Sequence, residues 1–294
     1  MSALNNEMID TARGSFHVRS VGAATSPPVL MLHGWPQSSY CWKSVAEALA
    51  GDWRLIMPDM RGLGDSPRTL DGGAYAKQAL AQDMLAVLDA LAIERCALVG
   101  HDWGGAVAQE IALAEPSRIE RLVLLNIHVL TNSRGNAAAR DVLSPRGAQS
   151  LWYQFFQSAP GLAEAMIPGN ERAWLGYFLK TWSATGFPAD AFEEYVRCYA
   201  IEDTPATGAA YYRSYKQDVK RWQEIAGTRL PMPSLYIYGR HDPVIIPEFT
   251  HHLDDVFDDI RLEELDAAHF VAEEQPDAVA GLLRDFLCGS GQAG

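Results

Sequence analysis

The chain has 294 residues, 48% hydrophobic and 21% charged, enough for one large α/β domain carrying an inserted subdomain. Its formal net charge of −13 argues against nucleic acid and anionic membranes as partners, since both repel an acidic surface. The same charge disfavours a strongly anionic substrate unless the pocket supplies a cation of its own.

In chain order, apolar runs at 29–32, 54–57, 97–99 and 122–125 read as buried parallel strands, covered on both faces and so without alternation. Helix-period apolar positions at 45–49, 79–91 and 106–114 lie between them. Strand alternating with helix implies an α/β fold, a mostly parallel sheet flanked by helices. From about 130 to 230 strand text stops and aromatic-rich helical text replaces it, including Trp152, Tyr153, Phe155 and Phe156, then Tyr211, Tyr212 and Tyr215. After Pro231 and Pro233 strands return at 234–238 and 260–262. The expected organisation is a core built from 1–129 and 231–294, with a helical cap at 130–230 inserted after the sixth strand.

Four cysteines, Cys41, Cys96, Cys198 and Cys288, are scattered without any C-x-x-C pair, which fits reduced thiols in the cytoplasm. No ligand-spaced histidine or cysteine cluster suggests a metal, and His251-His252 has no companions at such spacing. Residues 1–14 lack the apolar core of a signal peptide, and no apolar run reaches membrane-spanning length.

The most informative stretch is Gly100-His101-Asp102-Trp103-Gly104-Gly105, which follows an apolar run and opens a small-residue helix. This is the layout of a nucleophile elbow with aspartate in the nucleophile slot. A carboxylate there attacks carbon and becomes an ester, which suits alkyl–oxygen or alkyl–halogen cleavage better than acyl transfer. Two partners follow later strand text. Asp242, in Gly239-Arg240-His241-Asp242-Pro243, is placed to orient a histidine, and His269, in Asp266-Ala267-Ala268-His269-Phe270, is the candidate base. Asn126, after the 122–125 run, is a rival for the orienting role but carries no charge. The turn His33-Gly34-Trp35-Pro36 offers the Trp35 N–H as an oxyanion donor, with Trp103 N–H as the second, and Trp35-Pro36 is a candidate cis bond.

Taken together, HGWPQSSYCW, PDMRGLGDS, GHDWGG, LYIYGRHDPVIIP and DAAHFVAEEQP resemble the α/β-hydrolase superfamily, specifically its epoxide hydrolase and haloalkane dehalogenase branches, over nearly the whole chain. The resemblance implies an α/β-hydrolase fold and a reaction without metal or organic cofactor. It implies two cap tyrosines that hold and protonate the epoxide oxygen; Tyr153 and Tyr212 stand at the matching positions, with Tyr211 and Tyr215 as neighbouring alternatives. Phenols suit that task, donating a proton without adding charge to an apolar pocket. A haloalkane dehalogenase would instead use the Trp103 N–H and a second donor where this chain has Trp35. A haloacetate dehalogenase would carry arginine in place of Trp103.

Each assignment has a blander reading. Aromatic residues on cap helices are often only packing, so Tyr153 and Tyr212 weigh less than Asp102, Asp242 and His269. Trp35, Trp103 and Phe270 are expected as apolar lining of the substrate site. His101 is expected to support the elbow, His17 and His128 to be surface or core histidines, and Asp59, Arg61, Gly62, Gly64 and Ser66 to form a structural turn. The reading is an epoxide hydrolase acting on a small apolar epoxide and water, as a monomer or homodimer. A dehalogenase on the same scaffold is the first alternative and a non-catalytic ligand receptor the second. The intact nucleophile, acid and base weigh against the receptor.

Overall fold

The computed structural model describes residues 4–146 and 148–289, the side chains of 148–150 excepted. Its strands are β1 (Asn5–Thr11), β2 (Gly14–Val21), β3 (Pro28–Leu32), β4 (Arg54–Pro58), β5 (Cys96–His101), β6 (Ile119–Leu125), β7 (Ser234–Gly239) and β8 (Ile260–Leu265). They form one sheet in the order β1-β2-β4-β3-β5-β6-β7-β8. From β4 to β8 every pairing is parallel, whereas β1–β2 and β2–β4 are antiparallel. The six parallel strands are those legible in the sequence. In β5 and β7 every residue is buried, so both faces must be apolar.

The N-terminal hairpin has no such signature. β1 is an edge strand, largely exposed and polar (NNEMIDT), so burial imposes no pattern on it. The helices α1 (Lys43–Leu49), α2 (Lys77–Ala90) and α3 (Trp103–Ala114) alternate with the early strands, and α2 packs on α3. Seven described helices then fall between β6 and β7: α4 (Ser133–Leu143), α5 (Ala148–Ser158), α6 (Leu162–Met166), α7 (Glu171–Thr181), α8 (Ala189–Tyr199), α9 (Thr204–Arg213) and α10 (Tyr215–Glu224). After β8 come α11 (Val271–Glu274) and α12 (Pro276–Cys288), the latter packed on α1. No described helix is long and apolar enough to cross a membrane.

Parallel strands deliver their C-terminal ends to one rim of the sheet, where loops gather side chains distant in sequence. Asp102 follows β5, Asn126 follows β6, Asp242 follows β7 and His269 follows β8, so four neighbouring strands point at one place.

Candidate active site

Asp102 sits at the turn from β5 into α3 with φ 49° and ψ −128°, a conformation a non-glycine residue holds only when its surroundings enforce it. The enforcement is visible in the glycines. A Cβ on Gly104 would lie 2.3 Å from the His33 carbonyl oxygen, and one on Gly34 would lie 2.3 Å from the Asp102 Cβ. Helix and neighbouring loop can therefore close on the aspartate only where side chains are missing. The Trp35–Pro36 bond is cis, and the Trp35 N–H donates to Asp102 Oδ1 at 2.8 Å.

His269 is fully buried, and its Nδ1 lies 2.7 Å from Asp242 Oδ2. Its Nε2 faces Asp102 Oδ2 at 3.6 Å and makes no hydrogen bond to the described protein atoms. Asp242 Oδ1 accepts the N–H groups of Val244 and Ile245, while Oδ2 also accepts Asn126 Nδ2 at 2.6 Å. Asn126 is therefore no rival of Asp242. It holds that carboxylate in place, a role its neutral amide can fill because the amide also accepts the Gly239 N–H.

Burial pulls the His269 imidazolium down, but the carboxylates of Asp242 and Asp102 outweigh it and push the pKa up to about 10. Asp102 shows the mirror effect. Burial raises its carboxyl, yet the nearby positive charge of His269 and the Trp103 N–H hold it below its ordinary value. His101 donates its Nε2–H to the His269 carbonyl oxygen at 2.8 Å and is itself kept neutral, pushed by burial and the His269 charge to about 4. The elbow-supporting role expected of it matches this position.

A cavity of about 680 Å³ opens on Asp102, and Trp103, Tyr153, Tyr212 and Tyr215 share its wall. Tyr153 and Tyr212 come from α5 and α9, are almost fully buried, and stand with ring centroids 5.7 Å apart and nearly perpendicular. Burial raises both phenols, which keeps them protonated at neutral pH. Tyr211 turns the other way and donates to the Arg61 carbonyl, which removes it as an alternative.

Two expected lining residues do not line this cavity. Trp35 is buried beneath it, stacked on Tyr153 at 6.1 Å, with its indole N–H donated to Tyr199; only its backbone N–H reaches Asp102. Phe270 is drawn into the core against His101, His269 and Phe187, because the N–H groups of Ala268 and Phe270 both bond to the Glu274 carboxylate.

Three contributors carried no sequence signal. Trp182 accepts the His269 N–H on its carbonyl and packs its ring edge-on to the imidazole at 5.2 Å. Glu274 fixes the loop that carries His269. Lys77 is fully buried, 4.1 Å above the Trp103 ring, and bonds to Asp218 Oδ2, the Tyr211 carbonyl and Ser214. Away from the cavity, ligand-capable atoms of His17, Asp59 and Asp65 lie within 4.8 Å of one another, but Asp59 is already committed to His17 and to the N–H groups of Ser39 and Asp65.

Comparison with known proteins agrees with the architecture. The α/β-hydrolase fold family matches residues 27–276. Epoxide hydrolase A of Mycobacterium tuberculosis is 27% identical, with 98% of this chain and 99% of that protein aligned. The soluble epoxide hydrolase of Corynebacterium sp. is 29% identical over 92% of this chain and 94% of its own. Among solved structures, the epoxide hydrolase CorEH superposes with a TM-score of 0.84 at 27% identity, covering 97% of this chain and 99% of its own. With the match spanning most of the sequence and the sheet order, elbow and strand-end loops in place, the chain belongs to the α/β-hydrolase fold family.

Proposed function

We propose that this protein is an epoxide hydrolase that opens an epoxide to a vicinal diol through an ester on Asp102. The observation that carries the reading is the pair of buried tyrosines sharing one cavity wall with the aspartate. Relatives named epoxide hydrolase, aligned over nearly the full chain, support it.

In this mechanism Asp102 attacks an epoxide carbon as the C–O bond breaks, and the departing oxygen takes a proton from Tyr153 or Tyr212. Esterification removes the Asp102 charge, so one of the two carboxylates that raise His269 disappears and the imidazolium gives up its proton, which restores the phenol deprotonated in the first step. His269, held by Asp242, then takes a proton from water as that water attacks the ester carbonyl. The N–H groups of Trp35 and Trp103 receive the oxyanion. Collapse releases the diol and restores Asp102.

A haloalkane dehalogenase draws support from one observation. The Trp103 indole N–H is buried, makes no hydrogen bond among the described residues and belongs to a cavity-lining residue, as a halide donor would. The two phenols beside it favour an alkoxide.

Oxygen tracing tests the ester. In a single turnover in heavy-oxygen water, the diol should leave unlabelled and the label should appear in the peptide containing Asp102. Label in the first-turnover diol would mean direct attack by water and would end the proposal.

A further inference from the structure

Helix α4 presents Ser133, Asn136 and Arg140 to the cavity at spacings of three and four residues, and Ser144 continues the line. These residues form one polar strip about 16 Å long at ~1.5 Å rise per residue. Val219, Trp222, Val244, Ile245 and Phe249 give the same cavity an apolar wall. Among the described lining residues Arg140 is the one permanent cation, since His128 is held by burial at about 4.

Arg140 is also uncommitted. On the same helix Arg134 pairs with Asp255 at 2.9 Å, and across the cavity Arg221 lies 3.6 Å from Glu110, whereas Arg140 has no carboxylate partner among the described residues. Its charge opposes the rise that burial imposes on the Tyr215 phenol, and Tyr215 packs on Trp103, the residue after Asp102, at 6.4 Å. A protein of net charge −13 repels anions at a distance, so an arginine on its cavity wall with no carboxylate partner among the described residues reverses that preference locally.

Resting on the epoxide hydrolase reading, we infer that Arg140 is a carboxylate subsite and that the substrates are amphiphilic epoxides: an apolar chain carrying the ring, ending in a single carboxylate. The chain lies against the apolar wall, the epoxide reaches Asp102, and the carboxylate meets Arg140. One guanidinium matches one carboxylate through two parallel hydrogen bonds.

The test compares epoxyundecanoate, with the ring at the far end from the carboxylate, against its methyl ester. The quantity read is the ratio of the two kcat/KM values. Wild type should favour the carboxylate by about tenfold or more, the scale of one charge-assisted hydrogen bond. The ratio should fall to about one in Arg140→Gln and below one in Arg140→Glu, by loss and then reversal of the charge. Arg134→Gln, on the same helix outside the cavity, should keep the wild-type ratio. An equal rate for acid and ester in wild type, or a preference that survives Arg140→Gln, overturns the subsite. A second arm separates this from failure of the catalytic reading: decanoate and decanamide are titrated against the tryptophan fluorescence of the unreacted protein. If no epoxide is opened but decanoate binds more tightly in an Arg140-dependent way, the subsite stands and the hydrolase reading falls. If decanoate and decanamide bind alike, the subsite falls whatever the catalysis.

Discussion

At the scale of single residues, two groups divide the chemistry. In the proposed reaction Asp102 forms the bond with the substrate, and the hydroxyl groups across the cavity decide which leaving group is tolerated. Tyr212 is the sharper probe, because its ring contacts Tyr153, Trp35 and the Trp103 indole at centroid distances of 5.7, 5.4 and 5.6 Å. Phenylalanine keeps those contacts and removes only the proton. Tyr212→Phe should therefore lower kcat on styrene oxide by about a hundredfold, as expected for loss of a general acid. On a bromoalkane, whose leaving group needs no proton, the same variant should lose less than about threefold, and a comparable loss on both substrates would show that Tyr212 acts through packing.

Between elements, the joint between sheet and helical insert rests on a buried ion pair. Lys77 opens α2 and Asp218 lies on α10, 141 residues later, yet Asp218 bonds both the Lys77 backbone N–H and its ammonium. Burial lowers the lysine, and Asp218 opposes that shift. Removing one partner strands the other charge in the interior, so Lys77→Met should cost about 3–5 kcal/mol in urea unfolding. Lys77→Met combined with Asp218→Leu should recover much of that loss, since a matched apolar pair has no charge to desolvate. If the double variant is as unstable as the sum of the singles, the two side chains are not coupled.

This joint also marks where sequence stops being legible. Buried strands, the elbow and the strand-end loops announce themselves because burial and turn geometry restrict nearby residues. A lysine in the first turn of a helix reads as solvated, and only a carboxylate 141 residues away makes it otherwise. Phe270 and Trp35 were legible as apolar but not as to where they point. Glu274 and the N–H groups it binds turn one inward, while Tyr199 fixes the other. Asn126 could be located but not assigned, because its partner is chosen by the fold.

At the scale of the whole molecule, the same buried groups set the response to pH. His101 and His128 are each held near 4 by burial against an ordinary 6.5, and His33 is lowered for the same reason. Unfolding lets these take up protons, so their contribution to stability is full above pH 6.5 and is lost as pH falls toward 4. His269 has the opposite sign. Raised to about 10, it retains a proton in the folded chain that the unfolded chain releases, so its contribution is full below pH 6.5 and is lost as pH rises toward 10. Glu273 reinforces the alkaline side, because burial raises its carboxyl from 4.5 to about 8 and its contribution is lost across that range. Three histidines oppose one glutamate below pH 6.5, and both His269 and Glu273 act together above it. The melting temperature should therefore peak at about pH 6–7 and fall in both directions. Asp242→Asn removes the charge that most raises His269, and should flatten the alkaline limb while leaving the acid limb in place. A melting temperature that climbs from pH 7 to 10 would instead require a neutral His269 in the free protein, with no ion pair between it and Asp102.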